Sequence, residues 1–279
     1  MHNILCPLDG TLLTHINKQW QCENKHSFDI ARQGYVNLLG VQDKKSKDPG
    51  DSKEMITARS SFLNHGFYAP IAQKIKDILL HQQAKNSQTI SVLDAGCGEG
   101  YYLDYIHKNL SSHTAPNTLD FSGVDISKWA VMAAAKRNKK CRWFVASNKS
   151  LPFPDQSFDF IICGFGFPVW NEFTRLLKPS GQVIMIDPGK NHLHELKSII
   201  YKEVREKPEK EEIQNTLHLL KKDKLSFKIR LQTQDQISSL FSMTPHLFRA
   251  PKEGKESLLK LNTLELTTDI IFETYGLLP

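Results

Sequence analysis

The stretch ISVLDAGCGEGYYLDYI, residues 90–106, decides the fold. Its apolar start, Ile90, Val92 and Leu93, has the length of a buried strand, and Tyr102, Ile106 and Leu110 then recur at helical spacing. Between the two lies a turn with glycines at 96, 98 and 100. Strand, glycine turn and helix in that order form a cradle: the backbone can pass close under a ligand, and the free amides of the helix start face an anion. A dinucleotide fingerprint has two residues between its second and third glycines. This turn has one, which argues against NAD.

Working outward, FSGVDIS (121–127) is a second strand whose carboxyl end carries Asp125, suited to accept hydrogen bonds from ribose hydroxyls, with Ser127 to cap the next helix. A third strand follows around Trp143–Ala146, then the turn LPFPDQSFD (151–159), a fourth strand FDFIICG (158–164), a short helix, the turn KPSG (178–181) and a fifth strand QVIMID (182–187). KIRLQT (228–233) and LELTTDIIFETY (264–275) read as two more strands, with the helix DQISSLFSM (235–243) presenting Ile237, Leu240 and Phe241 on one face. The expected fold is α/β, a doubly wound, seven-stranded, mostly parallel sheet with its ligand at the carboxyl ends of the strands.

DAGCGEG (94–100), an acidic strand end, LPFPDQSFD and LLKPSG (176–181), in that order, resemble the motifs of class I S-adenosylmethionine-dependent methyltransferases. The resemblance implies Asp94, Gly96, Gly98, Glu99, Gly100 and Asp125 around the cofactor. Many such enzymes hold the adenine amino group with an acidic residue about four positions before LPF; here Ser147 stands there, and adenine contacts fall to Ser147 or to backbone amides. The alternatives are a structural turn for Asp94 and the glycines, and a helix-capping carboxylate for Asp125.

CPLDGTLL (6–13) and CENKH (22–26) have the spacing of a zinc knuckle, with Cys6, Asp9, Cys22 and His26 as ligands and an aspartate where a third cysteine is expected. A segment of about 40 residues needs a staple or a large neighbour to fold. Zinc accepts carboxylate oxygen, though in a sulfur-built site it is held less tightly than by thiolate. Three outcomes are open: zinc with Asp9 bound, a three-ligand site with water, or a metal-free ribbon held by Trp20, Leu12 and Phe28 packing on the main domain, with Asp9 at the tip of a turn beside Gly10.

HSFDIARQGYVNLL (26–39), DPGDSKEMITAR (48–59), CGEGYY (97–102), PGKNHLHELKSIIYKEV (188–204) and SMTPHLFRA (242–250) make nearly the whole chain similar to the RlmA family, bacterial large-subunit rRNA guanine-N1 methyltransferases. The resemblance implies zinc at Cys6, Cys22 and His26, and cofactor contacts at Tyr68, Gly98, Glu99 and His192. It also implies a guanine-containing hairpin of 23S rRNA as partner. Glu99 would bind the cofactor ammonium group, or else be an exposed first-turn glutamate. Phe165 to Pro168 departs from the family spacing by one residue; Phe165 either stacks on a flipped guanine or ends a buried strand with Phe167. Candidate general bases are Asp48, Asp51, Glu54 and Asp187, and Lys53 and Arg59 suit a guanine O6 or a phosphate.

The 279 residues, 40% apolar and 24% charged, describe a globular protein of one large or two unequal domains. Five cysteines without a signal peptide, and no apolar run of membrane length, point to a reducing, cytoplasmic setting and no membrane. The net charge of +6 favours a polyanionic partner. Lys44, Lys45, Lys47 and Lys53 form one basic cluster, and Lys136, Arg137, Lys139, Lys140 and Arg142 another. Tyr35, Phe67, Tyr68, Tyr101 and Tyr102 near them in sequence suit unstacked bases, against the alternative of solvated surfaces. The expected division is a ribbon over 1–41, a linker over 42–60 and a methyltransferase domain over 61–279, compatible with a homodimer. A small-molecule methyltransferase would share the sheet without needing a ribbon or lysine clusters. A non-catalytic RNA-binding factor would explain Asp9 and the altered Phe165 to Pro168, but not the intact glycine turn.

Overall fold

A computed structural model describes residues 3–40, 46, 48–83, 89–110, 119–203 and 216–278. Four short antiparallel strands open the chain, β1 (Ile4–Leu5), β2 (Leu12–Ile16), β3 (Gln19–Gln21) and β4 (Ser27–Asp29), followed by β5 (Tyr35–Asn37). Two helices, α1 (Lys53–Asn64) and α2 (Ala69–Gln83), lead into the alternating part: β6 (Ile90–Ala95), α3 (Tyr101–Lys108), β7 (Leu119–Asp125), α4 (Lys128–Arg137), β8 (Arg142–Val145), β9 (Phe158–Gly164), α5 (Trp170–Leu176), β10 (Leu177–Pro188) and α6 (His194–Ile200). The chain closes with β11 (Leu217–Leu231), α7 (Gln234–Ser242), α8 (His246–Arg249), α9 (Lys252–Leu259) and β12 (Leu264–Leu277).

The large sheet has eight strands in the order β11-β12-β10-β9-β6-β7-β8-β5, against the seven expected. Six of them pair in parallel, and β12 runs antiparallel to both β10 and the edge strand β11. The extra strand is β5, whose Tyr35 and Val36 are buried and whose following residue, Leu38, donates to Val145 O at 2.8 Å. The segment before the connecting loop is therefore tied into the main sheet. Tyr35 and Tyr101, expected beside lysines as base platforms, are instead buried in the core.

Strand order reverses between β6 and β9, since β7 and β8 lie to one side of β6 and β9 and β10 to the other. In an open parallel sheet the crevice at this reversal, beyond the carboxyl ends of the strands, is the ligand site. Both faces of the central strands β6 and β9 are covered, which is why these are almost continuously apolar, whereas the edge strand β11 is largely exposed and charged. Val92, Phe160, Ile162 and Ile184 pack into one core, and Leu93, Ile161, Cys163 and Val183 into the other. The second core also receives Ile4, Cys6, Leu13 and Cys22, so the ribbon is seated on the sheet through its own ligand strands. Of the three contacts that the metal-free alternative invokes, Trp20 and Phe28 pack against this core and Leu12 does not, being 53% exposed.

Candidate functional site

The glycine turn follows β6 and is fastened to β7, because Gly96 N and Cys97 N both donate to Val124 O, at 2.8 and 2.9 Å. Gly98 N donates to Asp125 Oδ2 at 2.9 Å and Ser127 N to Asp125 Oδ1 at 2.8 Å, which fixes the carboxylate and leaves each oxygen a lone pair for a ligand. Burial pushes this carboxyl up. Ser127 Oγ accepts from Ala130 N at 3.3 Å, capping α4 as the sequence implies. Ser147 lies just past β8, its Oγ accepting from Lys149 N at 3.2 Å, while the neighbouring Ala146 N donates to Asp125 O at 3.1 Å.

Gly100 stands at φ +79°, and a Cβ there would lie 2.7 Å from Trp143 and 2.8 Å from Ala134 Cβ. The turn can start α3 this close to α4 and β8 only with glycine. Asp94 and Glu99 are 2% and 1% exposed, and Asp94 Oδ2 and Glu99 Oε1 have no hydrogen-bond partner among the described residues. Burial pushes both carboxyls up to about 7, Asp94 further raised by Asp125 and Glu99 partly held down by Arg137. Glu99 is thus not an exposed first-turn residue. Its Oε2 accepts from Arg137 Nε at 2.6 Å in a pair that ties the turn to α4. Buried acceptor oxygens left without donors beside an open glycine turn fit a cofactor that brings cationic and hydroxyl groups, as S-adenosylmethionine does.

Three rings from three elements meet beside this turn. Tyr68 precedes α2, Phe165 follows β9, and His192 follows β10; their centroids lie 6.2 Å (Tyr68–Phe165), 6.2 Å (Phe165–His192) and 6.3 Å (Tyr68–His192) apart. Asp269 N donates to His192 Nδ1 at 3.3 Å, which assigns the ring proton of the neutral imidazole to Nε2, 3.4 Å from the Tyr68 hydroxyl. Burial pushes the Tyr68 phenol well up. Phe165 is 40% exposed with φ +55°, beyond the end of β9, so it is not the last residue of a buried strand. A phenylalanine in this region is strained by about 1–2 kcal/mol, and such strain collects at functional sites.

The basic clusters divide. Lys136, Lys139 and Lys140 are exposed, whereas Arg137 and Arg142 turn inward to Glu99 and Asp120; Lys44, Lys45 and Lys47 lie outside the described residues. Of the candidate bases, Asp48 accepts from Trp129 Nε1 at 3.0 Å, Asp51 pairs with Arg59 at 2.6 Å, and Glu54 lies in the first turn of α1 with its carboxyl held low by that turn's own amide. Asp187 lies near the carboxyl end of β10. The pairings of Arg137 with Glu99 and of Arg59 with Asp51 were not legible in the sequence, because the partners are 38 and eight positions away and no periodicity links them.

Cys6, Asp9, Cys22 and His26 come together with ligand atoms all within 4.8 Å of one another. A tetrahedral zinc ion with sulfur at about 2.3 Å and nitrogen or oxygen at about 2.0 Å has S–N and S–O edges of about 3.5 Å. The distances are 3.6 Å for Cys6 Sγ–His26 Nδ1, 3.5 Å for Cys22 Sγ–His26 Nδ1 and 3.5 Å for Cys22 Sγ–Asp9 Oδ2. One edge, His26 Nδ1–Asp9 Oδ2 at 2.9 Å, is shorter than the ideal of about 3.3 Å. Asp9 Oδ1 accepts from Thr11 N (3.0 Å) and Thr11 Oγ1 (2.7 Å), and Oδ2 also from Asn24 Nδ2 (2.9 Å). These bonds, led by the Thr11 hydroxyl, hold the Asp9 carboxyl well below the usual range, so it is ionised and oriented. The donor set fits zinc.

A doubly wound sheet with this glycine turn and strand-end carboxylate, preceded by a four-donor ribbon, is that of an S-adenosylmethionine-dependent methyltransferase with an N-terminal zinc ribbon. The family described as RlmA, N-terminal, matches residues 4–47, and that described as Methyltransferase domain matches residues 92–181. A protein of Bacillus subtilis strain 168 that bears the name "Putative 23S rRNA (guanine-N(1)-)-methyltransferase YxjB" is 30% identical over 95% of this chain and 94% of its own. The 23S rRNA (guanine(748)-N(1))-methyltransferase of Streptomyces fradiae is 31% identical over 68% of this chain and 65% of its own. The chain belongs to the RlmA family of 23S rRNA guanine-N1 methyltransferases.

Proposed function

We propose that the protein transfers a methyl group from S-adenosylmethionine to N1 of a guanine in 23S rRNA. The observation that carries this is the near-full-length match to a relative of that name, spanning ribbon and cleft together. A small-molecule methyltransferase would have no use for the ribbon, and a non-catalytic factor no use for an intact cofactor turn.

In this reading Asp94, Gly96, Gly98, Glu99, Gly100, Asp125 and Ser147 line the cofactor, with Tyr68 and His192 at its methionine end. When bound, S-adenosylmethionine supplies an already activated methyl group. The chain's own work is then to place a base and manage one proton. The exposed face of Phe165 receives a guanine turned out of its hairpin, since N1 lies on the pairing edge. That nitrogen must lose its proton, and a charge developing at O6 needs a donor. Residues 1–41 act as an RNA-gripping ribbon anchored by β5, 42–60 connect it to the remainder, with 53–60 in α1, and 61–279 act as the methyltransferase domain. Cys6, Asp9, Cys22 and His26 hold zinc. Among the described residues no helix is long and apolar enough to cross a membrane. A hairpin partner, a homodimer and a cytoplasmic setting belong to the same proposal.

The test is transfer of labelled methyl from S-adenosylmethionine to unmodified large- and small-subunit rRNA. Label in the large-subunit RNA alone is expected; label in neither, with the cofactor bound, would sink the proposal.

A further inference from the structure

Above the second glycine of the turn lies a cation. A Cβ on Gly98 would lie 3.2 Å from Arg59 Nη1 and 3.9 Å from Arg59 Cδ, and meet nothing else within 4 Å. Arg59 comes from α1, whose first turn is capped by Ser52 Oγ accepting from Met55 N at 3.3 Å. Asp51 Oδ2 takes Arg59 Nη2 at 2.6 Å. Asp51 is in turn fixed to the cofactor strand, its carbonyl accepting from Ser127 Oγ at 2.7 Å. Gly50 packs on Ser127 so closely that a Cβ would lie 2.8 Å from Ser127 Cβ, and Asp48 receives Trp129 Nε1 at 3.0 Å. The loop 48–52 is thus a clasp laid over the corner after Asp125, and Asp51 on it holds one arm of the guanidinium and leaves the other over the turn.

The charges around this turn have a pattern. Asp94 Oδ2 and Glu99 Oε1 are buried acceptors without donors among the described residues, and Arg59 Nη1 lies over Gly98, with its charge helping to hold the Glu99 carboxyl down. Acceptors for an ammonium and a guanidinium arm for a carboxylate, around one glycine turn, complement the two ends of a free amino acid. Of the groups on S-adenosylmethionine only the methionine end carries both. Resting on the methyltransferase reading, we propose that Arg59 is the residue that binds the α-carboxylate of the cofactor, with Asp51 as its positioning partner. Arg59 therefore serves neither guanine O6 nor an RNA phosphate.

The test is calorimetric titration of the full-length protein with S-adenosylmethionine and with its decarboxylated form, which keeps the ammonium and sulfonium but lacks the carboxylate. The wild type is expected to prefer the intact cofactor by about tenfold or more, the worth of a charge-assisted pair. Arg59→Ala should lose that preference entirely by weakening only the intact cofactor, and Arg59→Lys, which keeps charge without the fork, should fall between. Asp51→Asn should weaken the intact cofactor less than Arg59→Ala does. Unchanged cofactor binding in Arg59→Ala, with RNA binding reduced, would hand the residue to a phosphate and overturn the proposal. Equal loss of both ligands, unrestored by lysine, would make it a structural brace and overturn it as well. A wild type that binds neither ligand would bring down the methyltransferase reading itself.

Discussion

Replacing Asp9 by alanine removes one of four donors and leaves Cys6, Cys22 and His26 to share the ion with water. Asp9 touches the cluster through Oδ2 alone, while Oδ1 is spent on Thr11. The carboxylate is therefore a single-oxygen ligand steered by Thr11 and Asn24. Changing groups that steer a ligand costs about 10–100-fold in metal affinity, or about 1.4–2.7 kcal/mol. Thr11→Val and Asn24→Ala should fall in that range, and Asp9→Ala, which loses the ligand itself, at or beyond its upper end. The assay is competition for zinc against a chelator, repeated with cobalt, whose thiolate charge-transfer absorption should report two sulfurs in the wild type and in all three variants. The wild-type cobalt spectrum should be tetrahedral. Because Ile4, Cys6, Leu13 and Cys22 also pack into the core of the sheet, loss of metal should loosen β3 and β4 and leave the methyltransferase fold standing. Zinc held equally well by wild type and Asp9→Ala would refute the reasoning, since the carboxylate would then be no ligand.

Asp94 and Glu99, raised to about 7 from ordinary values of 3.8 and 4.5, must ionise to receive a cation, so cofactor affinity should fall about tenfold per carboxylate from pH 8 to pH 6, with proton release on binding near neutrality. In the free protein the same shifts favour folding below those ordinary values, and the benefit is lost as pH rises through 7, so thermal stabilisation by the cofactor should grow between pH 6 and 8. Phe165→Ala should lower kcat/KM for RNA by the about 1–3 kcal/mol of one stacked base, with cofactor affinity unchanged in calorimetry. Phe165→Gly should lose the same activity while raising the unfolding midpoint, because it relaxes φ +55°. Gly100→Ala should cost about 2–5 kcal/mol in urea unfolding, from the left-handed backbone at φ +79° and the clash with Trp143.

The order of strands and helices from β6 to β10, and the helix carrying Ile237, Leu240 and Phe241, were legible because apolar periodicity and turn chemistry are local signals. β5 was not. A three-residue strand is too short to show a period, and only its pairing with β8 defines it. The metal cluster was legible from spacing, but the support from Thr11 and Asn24 depends on the fold of the turn. The inward arginines 137 and 142 sat in a run that composition reads as solvated, since a charge run has no mark for the member that finds a buried carboxylate. The convergence of Tyr68, Phe165 and His192 joins three loops, with Tyr68 and His192 separated by 124 residues, and only the family positions of those two hinted at a common site.

The most direct test of the central claim is to incubate the protein with S-adenosylmethionine and unmodified large-subunit rRNA, digest the RNA to nucleosides and analyse them by mass spectrometry. The account predicts 1-methylguanosine, formed by the wild type and sharply reduced by Phe165→Ala. Methylation of another base or position, or none despite bound cofactor, would contradict it.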